Sequence, residues 1–516
     1  MKNFFLTLTA LMVCLSIQAQ HSFPKSVKED RDKIMSEAYW KIWNPQVQSQ
    51  IDKDIEKYRK ADGEITLTDF APGSEVHVEQ ISHDFIFGAH IFNYNQLGKT
   101  EYNEKYKELY GTLFNSATIA FYWKPFEMQP NRPRYKEEYW DTEEFWNNIA
   151  EPKAQPHWRR PATDPVVEFC ESKGIRMHGH NLIWGNRKWQ NPNWIINNLM
   201  IPEEKAKMDK IVVKYGNTEN ILDSEEHNDA FKDLTATQLE QMFPEFAKEL
   251  KRLYEKRIVD IAKYYGGRLQ SWDIVNESAT DHENGLLIPG SKITKSRYGI
   301  MPGDYTYEAF KVAGREFPSD VALNINDFNL RQCYPDQVND LIARGCKVDI
   351  MGSQMHLFNP QQCLDIAAGK EIQTPDHVWG WAKVLGGAKM PVHLSEITIT
   401  APGNDNAGQN IQAVITQNLY RMWFSLEWMM GITWWNVVDD CGAPGEPSVS
   451  GIFTRDMVAK PAFYALDNLI NNEWKTKITA KPNKDGQIKF RGFKGNYRIT
   501  WTDNAGNKQT KEYYLK

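Results

Sequence analysis

The sequence predicts an α/β protein built on a closed (β/α)8 TIM barrel, with a small N-terminal β extension and a small C-terminal β appendage. Three observations predict it. Short apolar runs alternate with helical segments eight times. Two of the runs end in glutamate, at Glu277 and Glu396, and the C-terminal ends of barrel strands are where such enzymes place their chemistry. The 516 residues also suffice for a barrel of about 250 to 400 residues with appendages.

Taken in order, Met1 to Ala19 has the layout of a secretory leader: Lys2, an apolar run from Phe4 to Ile17, then Gln18-Ala19-Gln20. The run is too short to span a bilayer as a helix. Residues 1–20 are therefore expected to be removed from a secreted or periplasmic protein. Residues 21–82 form an extension with a helical cast around Asp52–Lys60. Its period changes to two over Glu64–Thr68 and Glu75–Glu79, with Ala71-Pro72-Gly73-Ser74 as turn chemistry between. The barrel is expected over 83–472, with strands at Phe85–Ala89, Ser116–Phe121, Arg176–Leu182, Ser271–Asn276, Ala322–Asn326, Val348–Gly352, Val392–Ser395 and Gly431–Trp435. Helices are expected at Pro161–Lys173, Phe243–Tyr265, Asp336–Arg344, Ile411–Ser425 and Ala462–Asn471. A charged insertion at about 195–243 is expected over the mouth. Alternating residues in Gln487–Phe490 and Tyr497–Trp501 predict a β appendage over 473–516, serving as a lid or a sugar-binding module.

The net charge of −6 supplies no basic field for nucleic acid or anionic lipid. No other apolar stretch approaches membrane length. Five cysteines remain beyond the leader, at 170, 333, 346, 363 and 441; the odd number and irregular spacing fit neither a disulfide framework nor a zinc motif. A soluble monomer without a cofactor is expected. The 18 Trp and 22 Tyr serve the core and also suit sugar faces, on which flat amphipathic rings stack.

The chemistry is expected in Ser271-Trp272-Asp273-Ile274-Val275-Asn276-Glu277 and Pro391-Val392-His393-Leu394-Ser395-Glu396-Ile397. Neighbouring strand residues point to opposite faces, so Asn276 and Glu277 can share a site only where the strand ends or bulges. Two opposed carboxylates are what glycosidic cleavage needs: one protonates the departing oxygen, the other attacks the anomeric carbon. His178 and His180 invite a metal reading, but no third ligand stands at suitable spacing, and no metal is expected.

Six stretches resemble glycoside hydrolase family 10, the xylanase family. They are Gly179-His180-Asn181-Leu182-Ile183-Trp184, Trp272–Glu277, Asn326-Asp327-Phe328-Asn329, Gly352-Ser353-Gln354-Met355-His356-Leu357, Ser395-Glu396-Ile397 and Trp435-Asn436-Val437-Val438-Asp439. The resemblance runs from about Phe85 to Asn471. It implies Glu277 as acid/base, Glu396 as nucleophile, and Asn276 as the partner of a sugar 2-hydroxyl. It places Gln354 and His356 beside the nucleophile, His356 orienting it, and gives Lys124, His180, Trp184 and Trp435 to the subsite of the sugar being cleaved. Asp273 is expected to be structural. The activity implied is retaining, endo-acting hydrolysis of β-1,4 linkages in xylan or a related polysaccharide.

Three positions depart from the family. Ala120-Phe121 stands where Glu-Asn usually grips the next glycone-side sugar, Gly185 where a His commonly follows Trp184, and Ala443 where a second Trp is expected. Each removes a polar handle or a stacking face, so the substrate differs from plain xylan or is bound differently. The alternatives are an exo-acting or non-xylan β-glycosidase of the same fold, and a catalytically silent surface protein that binds glycans.

Overall fold

The computed structural model describes residues 22–23, 31–185, 189–215, 234–283 and 303–516. The leader of residues 1–20 and positions 216–233 of the expected insertion lie outside the described residues.

The strands, in chain order, are β1 (Lys60–Thr66), β2 (Val76–Gln80), β3 (Ile86–His90), β4 (Ser116–Ala120), β5 (Arg176–His180) and β6 (Ile183–Trp184). They continue with β7 (Ser271–Asn276), β8 (Ala322–Asp327), β9 (Ile350–Leu357), β10 (Val392–Ile399) and β11 (Met429–Trp434). The last four are β12 (Lys477–Ala480), β13 (Gln487–Phe493), β14 (Gly495–Thr502) and β15 (Lys508–Leu515). From β3 to β11 every pairing is parallel, and the ring closes when β11 returns to β3. This is the expected eight-stranded barrel. The two-residue β6 continues the third strand alongside β7.

Strand residues are buried on both faces, as a helix-wrapped parallel sheet requires. Gly179 lies so close to the Trp272 indole that a Cβ there would meet a ring carbon at 2.2 Å. The sixth and seventh strands run further than their apolar starts suggest, through His356 and Ile399. Their later residues, Ser353, Gln354 and Thr398 among them, stay paired in the sheet and buried.

The helix Pro244–Tyr265 illustrates how local chemistry sets the outer ring. Pro244 opens it, Gly266 at φ +54 stops it, and Phe246, Leu250, Tyr254, Ile258, Ile261 and Tyr265 form its buried stripe. Its first turn also receives an acid from the insertion. Glu204 accepts hydrogen bonds from Glu245 N at 2.8 Å and Phe246 N at 3.1 Å, complementing the positive end of the helix.

The two β pieces read separately in the sequence are one module. β2 lies between β12 and β14, β15 extends that sheet, and β1 pairs with β13. Ile65, Val76 and Val78 from one end of the chain pack with Ile488, Phe490, Tyr497 and Ile499 from the other. Neither piece has enough apolar surface to form a core alone. The module sits under the barrel's N-terminal face: Phe85 and Phe87, flanking the start of β3, pack with Phe424, Trp474 and Phe493. A lid over the mouth is therefore excluded, since the mouth is at the opposite end.

The five described cysteines are all free. Among the described residues no helix is long and apolar enough to cross a membrane.

Candidate active site

Both glutamates owe their aim to breaks in strand regularity. β7 ends at Asn276, and Glu277 turns into the left-handed region at φ +56, which brings it to the same side as its neighbour. Its N–H is held by Asn326 O at 2.7 Å. On β10 the register against β9 shifts between Leu394 and Glu396; such an irregularity re-aims the side chain into the mouth.

One amide joins the two acids. Gln354 Nε2 lies 3.1 Å from Glu277 Oε1 and 3.2 Å from Glu396 Oε1. Those contacts together cap the separation of these two oxygens at about 6.3 Å, so the two carboxyl groups face one another at the mouth, as opposed acids at a glycosidic bond must. Trp184 Nε1 donates to the other Glu277 oxygen at 3.1 Å. Asn326 Nδ2 donates to Glu396 Oε1 at 2.8 Å and to Asn276 Oδ1 at 2.9 Å. Asn326 is in turn held by the Ser395 hydroxyl. Glu396 is 5% exposed, so its oxygens face a fixed set of donors with little water. The arrangement can serve a reaction that needs a proton donor and a carboxylate across one bond.

The other expected residues are distributed around this pair. His356 Nε2 approaches Glu396 Oε2 at 3.5 Å while its Nδ1 contacts Thr398 Oγ1 at 2.9 Å. His180 Nε2 stands 3.7 Å from Glu396 Oε1. Trp435 packs edge-on to both His180 and His356. Lys124 lies in the short helix Trp123–Phe126 after β4, partly buried.

The sequence reading missed several neighbours. Asn326 was legible, because it ends an apolar strand as Asn276 does. The three successive aromatics Phe121, Tyr122 and Trp123 part company. Phe121 packs into the core against Trp272 with ring centroids 4.6 Å apart, Trp123 is buried against Trp194, and only Tyr122 reaches the site, its hydroxyl 3.1 Å from His180 Nε2. Asn436, from the stretch Trp435–Asp439, gathers beyond Tyr122 with Arg159, Arg160, His90 and Glu446, four residues that no motif announces. Gly185 lies just beyond β6. Ala443 N caps the Glu446 carboxylate at 2.8 Å.

Below the mouth, Asp273 supplies the third group that the spacing of His178 and His180 does not suggest, so the three could in principle hold a metal. Its Oδ2 instead takes hydrogen bonds from His178 Nε2 at 2.9 Å and His180 Nδ1 at 2.7 Å. Those contacts use the nitrogens that would ligate an ion. Burial alone would raise the Asp273 pKa, but the two imidazoles hold it well below the carboxylate range. Ionised Asp273 thus stabilises the fold above its unfolded pKa of about 3.9, and that contribution disappears as pH falls through the folded value. Asp273→Asn is expected to cost about 3 kcal/mol at pH 7, as for one lost member of a buried pair. In denaturant titrations the gap to the native protein should narrow below about pH 4; a gap unchanged from pH 3 to 7 would refute this account. Asp327, by contrast, is pushed up to about 7 by burial, with the charge of Glu277 adding to it. Its two oxygens accept from Ala279 N and Asn329 N at 2.8 Å each, pinning the turn that follows Glu277.

The family model described as glycosyl hydrolase family 10 matches residues 78–220 and 230–469. The chain is 25% identical over 423 residues to an endo-1,4-beta-xylanase C of Paenibacillus barcinonensis, covering 74% of this chain and 32% of that protein. It is 24% identical over 315 residues to an endo-1,4-beta-xylanase A of Thermoanaerobacterium saccharolyticum, covering 59% of this chain and 22% of that protein. The chain thus spans less than a third of these relatives' length. Among solved structures, xylanase B of Clostridium stercorarium F9 aligns with a TM-score of 0.49 at 19% identity, over 75% of this chain and 97% of that one.

Proposed function

The chain belongs to glycosyl hydrolase family 10, and from that premise we propose that it hydrolyses internal β-1,4 linkages of xylan or a related polysaccharide with retention of configuration. Glu277 protonates the leaving oxygen and later activates water; Glu396 attacks the anomeric carbon and forms the glycosyl-enzyme ester. The observation that carries this reading is the single Gln354 amide within hydrogen-bond distance of both acids. Asn276, tied to Glu396 through Asn326, takes the sugar 2-hydroxyl. Gln354 and His356 orient Glu396, while Lys124, His180, Trp184 and Trp435 hold the sugar being cleaved. The leader-like N-terminus supports a secreted or periplasmic location. A silent glycan-binding protein is the weaker reading, since binding alone does not require two acids around one amide.

A second reading, exo action, is favoured by one feature. The segments after β4 and β11 clasp across the end of β3: Arg159 Nη2 donates to Asn436 Oδ1 at 2.8 Å, Arg159 faces Glu446 at 3.6 Å, and Lys153 pairs with Asp440. A clasp there shortens the cleft on one side. Incubating the protein with plant and microbial β-glycans and sizing the products separates the readings. Oligosaccharides of mixed length are expected for endo action, and a single short sugar marks exo action. Binding without products would overturn the enzymatic reading.

A further inference from the structure

Beyond Tyr122 the site carries a cation, Arg160, that makes no ion pair among the described residues. The Arg160 guanidinium lies 4.2 Å from the Tyr122 ring centre and 4.8 Å from that of Phe92. Tyr122 is the residue whose hydroxyl meets His180, itself beside Glu396. Arg160 therefore stands one ring away from the nucleophile, on the side where Ala120-Phe121 replaces the family's polar grip.

Arg160 and Arg159 are adjacent yet differently engaged. Arg159 faces Glu446 and donates to Asn436. Among the described residues, Arg160 makes one side-chain hydrogen bond, to Arg159 O at 3.1 Å, and no carboxylate lies within ion-pair distance of it. The nearby Glu446 carboxylate is already taken by Arg159, Asn436 and Ala443 N. Arg160 is partly exposed, so several of its N–H groups remain for a ligand. Burial and the charge of Arg159 together draw its pKa down to about 10.

The backbone that carries this side chain is also held. Arg159 adopts φ +63, its N–H bonds Gln96 Oε1 at 2.9 Å, and Arg160 N bonds His157 O at 3.0 Å. A guanidinium stacked on a ring and held by its backbone is preorganised for bidentate recognition of an oxyanion. We propose that Arg160 is a specificity-determining residue which takes an anionic group of the glycone-side chain, a uronic-acid carboxylate or a sulfate ester. This inference rests on the glycosidase reading above and names its substrate class: acidic β-glycans in preference to neutral ones.

The test uses three probes: a xylo-oligosaccharide branched with glucuronic acid, the same compound with its carboxyl reduced to the alcohol, and an O-sulfated xylo-oligosaccharide. Binding is measured by calorimetry in the Glu277→Ala protein, so that cleavage does not consume the probe, with and without Arg160→Gln. An anionic probe should bind about ten-fold tighter than the reduced one when Arg160 is present. The preference should vanish in Arg160→Gln, return in part with Arg160→Lys, and shrink as salt is raised. Whichever anion is preferred identifies the source of the negative charge. Arg160→Lys keeps charge and stem, so it gives the reading if Arg160→Gln fails to fold. Equal binding of all three probes to the Arg160 protein, or a preference that survives Arg160→Gln, overturns the proposal. If the native enzyme still hydrolyses neutral oligosaccharides in that case, the glycosidase reading stands; if it hydrolyses no glycan, that reading falls separately.

Discussion

Glu396→Gln is expected to abolish turnover on every substrate, with kcat reduced on the order of 10⁴-fold or more. Gln preserves the volume and one acceptor oxygen, so the contacts from Asn326 and Gln354 have a partner and the fold is spared. What disappears is the proposed nucleophile, and with it the ester through which the proposed reaction is divided into two displacements. The loss must therefore be equal for aryl glycosides and for natural oligosaccharides. Steady-state kinetics on both, with a melting curve to confirm folding, decide the matter. Appreciable hydrolysis by the folded variant would remove Glu396 from the mechanism.

Glu277→Ala is expected to split the two substrate classes. Unactivated oligosaccharides need a proton on the departing oxygen, and their kcat/KM should fall by about 10² to 10⁴-fold, the usual share of general acid catalysis. Aryl glycosides with acidic leaving groups depart without that proton, so their glycosylation rate should hardly change. Hydrolysis of the resulting ester still lacks its base, and a burst of released phenol followed by slow turnover is the expected trace. Equal losses on both substrate classes would show that Glu277 supports the fold or binding rather than proton transfer.

Much of this architecture could be read before any coordinates. Eight apolar runs mark the barrel because a buried parallel strand needs nothing beyond a short hydrophobic stretch. The two glutamates stand out because a charged residue closing such a stretch conflicts with burial unless it has work at the mouth. The remainder depends on contacts between distant segments, which local periodicity does not encode. Strands β1 and β2 alternate as any half-buried strand does, and nothing in them names β13, β12 or β14 as partners. The role of Asn326 follows from its reach to two other strands. Tyr122 is indistinguishable in sequence from its two aromatic neighbours, yet they point into the core and it does not. Asp273 completes a cluster with His178 and His180 only because β5 lies against β7.

The module beneath the barrel has a consequence for how the protein is made. Gln80 is joined to Lys494 across 414 positions, so the first strands leave the ribosome long before anything exists to cover their edges. A chain interrupted before β12 would carry the complete barrel mouth with Glu277 and Glu396 above an unsealed base, with β2 unpaired and the aromatic surface around Phe85 and Phe87 exposed. Completion of the last segment is thus a condition for a protected molecule, and a prematurely ended product becomes a target for proteolysis despite its intact barrel mouth.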